Sequence, residues 1–203
     1  MLPGTYNVSL VVDGKTIETK PLRVAADPEV ALTPLERQRM FDMAMEMHDL
    51  QKRATDVQSA LRPLNTRMAE LAKEIAGRTD LPADVKAAFE AFNKDLTAFA
   101  PKFAPAAFGR GGGAGPAAAP AAAQAGQPAT PPPVNLLTRI GQAKNGLMAT
   151  MPVTEQTTKA YTEAKAQVPK AILEANALFA RAATLSTTLA PYKLTLTAPQ
   201  PVK

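Results

Sequence analysis

The chain has 203 residues, enough for one or two modest domains. It has no tryptophan and only 5% aromatic residues, so large core side chains are scarce and helices packed through Ala, Leu, Met and Phe are favoured over a compact enzyme core. The net charge of +5 is mild and scattered, and there is no cysteine. These facts exclude disulfides, thiolate metal sites and thiol nucleophiles, and they argue against nucleic-acid binding, because no basic cluster with interleaved aromatics occurs.

Residues 1–30 read as a terminal β-hairpin. Tyr6, Val8, Leu10 and Val12 alternate with Asn7, Ser9 and Val11, a period of two that marks a strand with one buried face. Asp13-Gly14 is a strong hairpin-turn signal, since Gly accepts positive φ. Thr16 to Val24 is the returning strand. Ile17 and Leu22 differ in parity, so a bulge is expected near Lys20-Pro21, where proline cannot donate to a ladder. A lone hairpin is marginal in water, so this one either lies on the helices or, the favoured reading, completes a sheet whose other strands lie elsewhere.

Residues 33–104 read as a helical hairpin. Thr33-Pro34-Leu35-Glu36 is a capping-box start with proline at the first helical position. Met40, Met43, Met47, Leu50, Ala54, Val57, Leu61, Leu64, Met68, Leu71 and Ile75 then step by three and four, a coiled-coil-type seam. Pro63 lies inside it and predicts a kink. Gly77 is the expected C-cap. A second helix starts near Pro82, carries Val85, Phe89, Phe92, Leu96, Phe99 and Phe103, and should end or bend at Pro101.

Residues 105–133 change character. Gly and Pro recur, only Arg110 is charged, and the composition predicts a disordered Ala/Pro/Gly linker. Residues 134–190 read as a second helical hairpin. Leu136, Leu137, Ile140, Ala143, Leu147 and Met151 outline a third helix that Pro152 ends. Thr154 caps a fourth, with Tyr161, Ala164, Val168, Ile172, Ala175, Leu178, Ala182, Leu185 and Leu189 on one side and Pro169 interrupting it. Residues 191–203 form an extended tail or a frayed end. The fold class is mainly α, and the long–short–short–long order predicts an antiparallel bundle of four amphipathic helices.

Several residues invite a chemical reading, and each has a simpler one. His48 is the only histidine, and Glu46 and Asp49 do not share its helix face, so it reads as a solvated position. Met40, Met43 and Met47 belong to the seam, whereas Met45 lies off it and should be exposed. The pairs Asp42/Glu46 and Glu70/Glu74 sit one helical turn apart beside basic residues, as on a solvated face. "GRGGGAG", residues 109–115, lacks the Lys-Ser/Thr ending of a phosphate loop. The sequence thus offers no catalytic, cofactor-binding or metal set. It also holds no apolar run long enough for a membrane span and no signal peptide at Met1.

Pro3-Gly4-Thr5-Tyr6, Asp13-Gly14 and Asp27-Pro28 carry a resemblance. The segment resembles one near the C-terminus of large bacterial exported proteins. Those proteins bear sortilin-type β-propellers of sialidase-like repeats and are often labelled glycosyl hydrolases. There it closes an Ig-like module, and a helical region with an Ala/Pro/Gly-rich insertion follows. The Pro-Gly-x-Tyr stretch is also similar to part of the Ig-like module of flagellar hook-capping proteins. Glu29 departs from the pattern, standing where Arg is common. The propeller repeat would need tryptophan, so the propeller is not in this chain and no catalytic residue carries over. The resemblance implies a non-catalytic C-terminal module of an exported, extracytoplasmic protein. Its partners would be propeller and Ig-like domains upstream of Met1. The alternative is an independent helical adaptor that binds a protein partner through its seam.

Overall fold

A computed structural model describes residues 2–104, 135–149 and 151–203. The described residues are mainly helical, with four α-helices and one two-stranded antiparallel hairpin among them. The linker expected over 105–133 and the Gly-rich run 109–115 lie outside the described residues.

Strands β1 (Gly4–Val12) and β2 (Lys15–Val24) join through Asp13 (φ 49°) and Gly14 (φ 77°). Two successive positive φ values make the mirror-image turn whose twist matches that of the strands, which is why Asp-Gly stands there. The bulge is not at Lys20-Pro21. Leu10 faces Glu18 and Val11 faces Thr16, so Ile17 is the extra residue. Pro21 sits in regular register opposite Asn7. β2 has an open outer edge among the described residues, and a missing donor is tolerated there.

Helix α1 (Pro34–Ala76) begins with the expected capping box: Thr33 accepts from the Glu36 amide, and the Glu36 carboxylate accepts from the Thr33 amide. Gly77 caps its end. Met40, Met47, Ala54, Val57, Leu61, Leu64, Met68, Leu71 and Ile75 are buried, so the seam is core. α1 runs unbroken through exposed Pro63, where the carbonyl deprived of its partner is free to bond water. Helix α2 (Ala83–Phe99) gives way to a 3₁₀ turn over Ala100–Phe103, as Pro101 requires. Helix α3 (Leu136–Leu147) stops before the expected Met151, and Met148 and Met151 are exposed. The chain must turn there to reach the Thr154 cap of helix α4 (Glu155–Leu189). Pro169 does not interrupt α4: Ala164 and Val168 before it and Ile172 and Ala175 after it are all buried, so both flanks pack into the core.

The side-chain pairings give the helix directions. Glu46 of α1 meets Tyr161 and Lys165 of α4, while Arg78 just past α1 donates to the Tyr192 carbonyl just past α4. The two long helices therefore run parallel. Asp95–Arg181 and Lys102–Glu174 set α2 antiparallel to α4, and Arg139–Glu163 with Gly146 against Thr157 set α3 antiparallel to α4. The Asn135 side chain, which caps α3, also donates to the Ala104 carbonyl at 2.7 Å. α2 and α3 thus stack end to end as one interrupted column between two long ones. The expected antiparallel bundle of four helices is not what these pairings describe, since α1 and α4 run parallel and α2 and α3 share one column. The reason is length: neither the 17 residues of α2 nor the 12 of α3 can span the 43 of α1. One core cluster joins all four helices.

The tail is not frayed. Lys193 takes the left-handed conformation (φ 60°) and turns the chain back. Leu194 and Leu196 are buried, with period-two alternation and no sheet partner. Arg67 donates to the Thr195 carbonyl, Arg53 to that of Lys203, and Ser186 to that of Leu196. The Asn176 amide both donates to and accepts from the Val202 backbone, at 2.9 Å each way. The segment therefore straps α1 to α4.

The Ala104–Asn135 contact yields a prediction. Replacing residues 105–134 by a Gly/Ser loop of about six residues should leave circular dichroism and the melting temperature unchanged, since the ends to be joined already touch. A loss of helical signal would show that the segment carries part of the core.

Candidate interaction surface

The hairpin is exposed on both faces. Val8, Leu10, Val12 and Leu22 keep 53%, 57%, 48% and 52% of their surface, and Val11 and Ile17 are equally open. Tyr6 is half-buried and donates its hydroxyl to the Leu2 carbonyl, which ties the start of β1 to the chain before it. A strand with this alternation has a face built for burial. Covering the exposed halves of four such side chains would contribute on the order of 4 kcal/mol.

The hairpin meets the helices at one end. A shallow cleft of ≈260 Å³ lies there, lined by Leu2, Pro3, Val24, Met40, Phe41 and Met148 among others. Arg37 donates to the Val30 and Leu32 carbonyls and fixes the connection between β2 and α1. Phe41 and Met45 are partly exposed one helical turn apart, off the buried seam. Met148 lines the cleft beside Phe41 because α3 ends at Leu147.

The residues weighed for chemistry fall elsewhere. His48 is exposed, and its Nδ1 lies 3.4 Å from Lys144 Nζ, which also donates to Gln51. Met40 and Met47 are buried, Met43 is half-buried and Met45 is exposed, as the seam predicts. Asp42 accepts from Gln38, whereas Glu46 turns toward α4, so the two do not act as a pair. Glu70 and Glu74 share Arg67 as a common partner, at 3.0 and 2.9 Å. Among the described residues no group of three or more His, Cys, Asp or Glu side chains could hold a metal ion. No described helix is long and apolar enough to cross a membrane.

Sequence reasoning missed the meeting of Glu46, Tyr161 and Lys165. Glu46 lies more than a hundred positions from the other two, and only the parallel course of α1 and α4 joins them. The Lys165 ammonium (2.8 Å) and then the Tyr161 hydroxyl hold the Glu46 carboxyl below its ordinary value of 4.5. A folded-state value below the unfolded one contributes stability above pH 4.5, and this is lost as pH falls through the lowered value. Glu46→Gln should therefore flatten the acid limb of melting temperature against pH. The site is exposed, so the effect should stay under about 1 kcal/mol. An acid limb identical to that of the parent would show that the contact does not persist in solution.

Comparison with family models, with curated proteins and with solved structures finds no match to this chain.

Proposed function

We propose that the chain is a non-catalytic structural and interaction module at the C-terminal end of a larger exported β-propeller protein. In this reading its hairpin completes an Ig-like sheet, and its helices form the body behind it. Its partners are the propeller and Ig-like domains of the same polypeptide, and the whole is extracytoplasmic. The observation that carries the reading is the uncovered hairpin: β1 has an apolar alternation along its sequence, and both faces of the hairpin are open. The alternative, a helical adaptor that binds through the α1 seam, is less well supported, because that seam is already occupied by the chain's own core.

The test is amide exchange on the 203-residue chain. Amides of residues 5–24 should exchange fast while those of the α1 and α4 seams are protected. Strong protection over 5–24 would mean that the hairpin is stable without a cover, and the proposal would lose its physical basis. Reading the coding DNA ahead of Met1 tests the parent protein directly, since an in-frame propeller is expected there.

A further inference from the structure

We propose that the groove between α1 and α4 that holds residues 194–203 accepts the same segment from a second copy of the chain, so that two copies exchange their straps about Lys193.

The groove recognises an extended main chain. Arg67 Nε donates to the Thr195 carbonyl at 2.8 Å, Arg53 Nε to that of Lys203 at 2.9 Å, and Ser186 Oγ to that of Leu196. The Asn176 side chain closes two bonds with the Val202 backbone. Each of these bonds joins a helix side chain to a backbone atom of the strap. The strap side chains that enter the groove are two leucines two positions apart. Leu194 and Leu196 belong to the core cluster, whereas Thr195 and Thr197 face solvent. Peptide grooves work in this way, with affinity from main-chain bonds and specificity from alternate side chains. None of these contacts requires the segment to belong to the same polypeptide as the helices.

The closed form is strained where the strap leaves α4. A 3₁₀ turn over Ala190–Tyr192 follows the helix, and Lys193 (φ 60°, ψ 24°) reverses the chain. Arg78 donates to the Tyr192 carbonyl at 2.8 Å, so the chain is held up to the hinge and the reversal falls on one residue. Glycine is the usual residue at such a helix end, because a Cβ crowds the backbone in the left-handed conformation. Lysine carries that crowding here. A short strained hinge invites exchange between copies: unbending relieves the strain, and every groove contact re-forms with the partner's strap. The strap is also open along one flank. A groove of ≈400 Å³ lies between it and α1, lined by Ala60, Pro63, Leu64, Thr195, Thr197 and Pro199 among others.

A second copy is the occupant because each copy presents a segment already matched to the groove in its main-chain bonds and its two leucines. The closed chain competes through its short tether, whose effective concentration is on the order of millimolar. With the native hinge, exchange is therefore a property of concentrated protein, and residue 193 sets its midpoint.

The experiment is size-exclusion chromatography with light scattering on the 203-residue chain and its hinge variants, from about 10 µM to about 1 mM. Lys193→Pro cannot take a positive φ, so its strap cannot fold back. It should dimerise at concentrations at least about tenfold below those the parent needs. Lys193→Gly removes the strain and should need about tenfold more than the parent. Lys193→Pro combined with Leu194→Ser and Leu196→Ser should be monomeric. Circular dichroism reads whether the helices are kept. A proline variant with the parent's helical signal that stays monomeric throughout would overturn the exchange. If a labelled peptide of residues 191–203 then binds it, the groove belongs to a separate extended peptide and not to a second copy. A dimer that survives the two serines uses another surface and overturns the proposal as well. Should the proline variant fail to fold, the parent and glycine chains decide: a higher dimer midpoint for glycine supports exchange, and equal midpoints or no dimer in either overturn it.

Discussion

Leu61→Asp should lower the melting temperature of the helical body by on the order of 10 °C, from a stability loss of roughly 3–5 kcal/mol. Leu61 lies midway along α1, is 3% exposed, and belongs to the core cluster that joins all four helices. The substitution removes a packed side chain and places a carboxylate within the apolar core cluster. The charge must stay unpaired, take up a proton or pull the helix open, and each outcome costs stability. Leu61→Met conserves volume and should cost less than about 1.5 kcal/mol, which separates the buried charge from a mere change of shape. Thermal circular dichroism reads both. An Asp variant that melts with the parent would show that the α1 seam is not core.

Gly146→Ala should destabilise the chain although it raises helix propensity. A Cβ on Gly146 would stand 2.7 Å from Thr157 Cγ2 and closer still to Thr157 Oγ1. Thr157 is buried, and its hydroxyl lies 2.9 Å from that of Thr154 at the start of α4, so it has little room to yield. Overpacking of this kind costs about 1–3 kcal/mol, against the ~1 kcal/mol that Ala gains over Gly within a helix. The clash prevails, and the net loss should be on the order of 1–2 kcal/mol. Thr157→Ala removes the atoms nearest the clash, so the double variant should recover part of the loss, as coupled neighbours do. Strict additivity in the thermal melts would mean that α3 and α4 do not approach this closely.

Much of this architecture was legible locally. The Asp-Gly turn, the Thr33–Glu36 box and the two long seams each rest on residues within a few positions of one another. Their physics is that of a positive φ, a reciprocal hydrogen bond or a helical period. The exposure of Met45 and His48 followed from the same period. Prolines were harder to read. Pro101 ends α2, whereas Pro63 and Pro169 lie inside helices that continue on both sides and are buried on both flanks. The bulge was inferred correctly from parity and misplaced, since parity says that a residue is extra without saying which one.

For the candidate surface, the alternation in β1 marked a face in need of cover, and the structure finds it open.

The sequence by itself determined where the elements lie, which face of each helix is apolar and that the hairpin turns at Asp13-Gly14. These are consequences of backbone sterics and short-range periodicity. Only the tertiary structure decided that α1 and α4 run parallel, that α2 and α3 share one column, that Glu46 meets Tyr161 and Lys165, and that Leu194 and Leu196 strap the long helices together. Those outcomes depend on how faces of different length fit against one another, and a contact between residues a hundred positions apart leaves no local period to read.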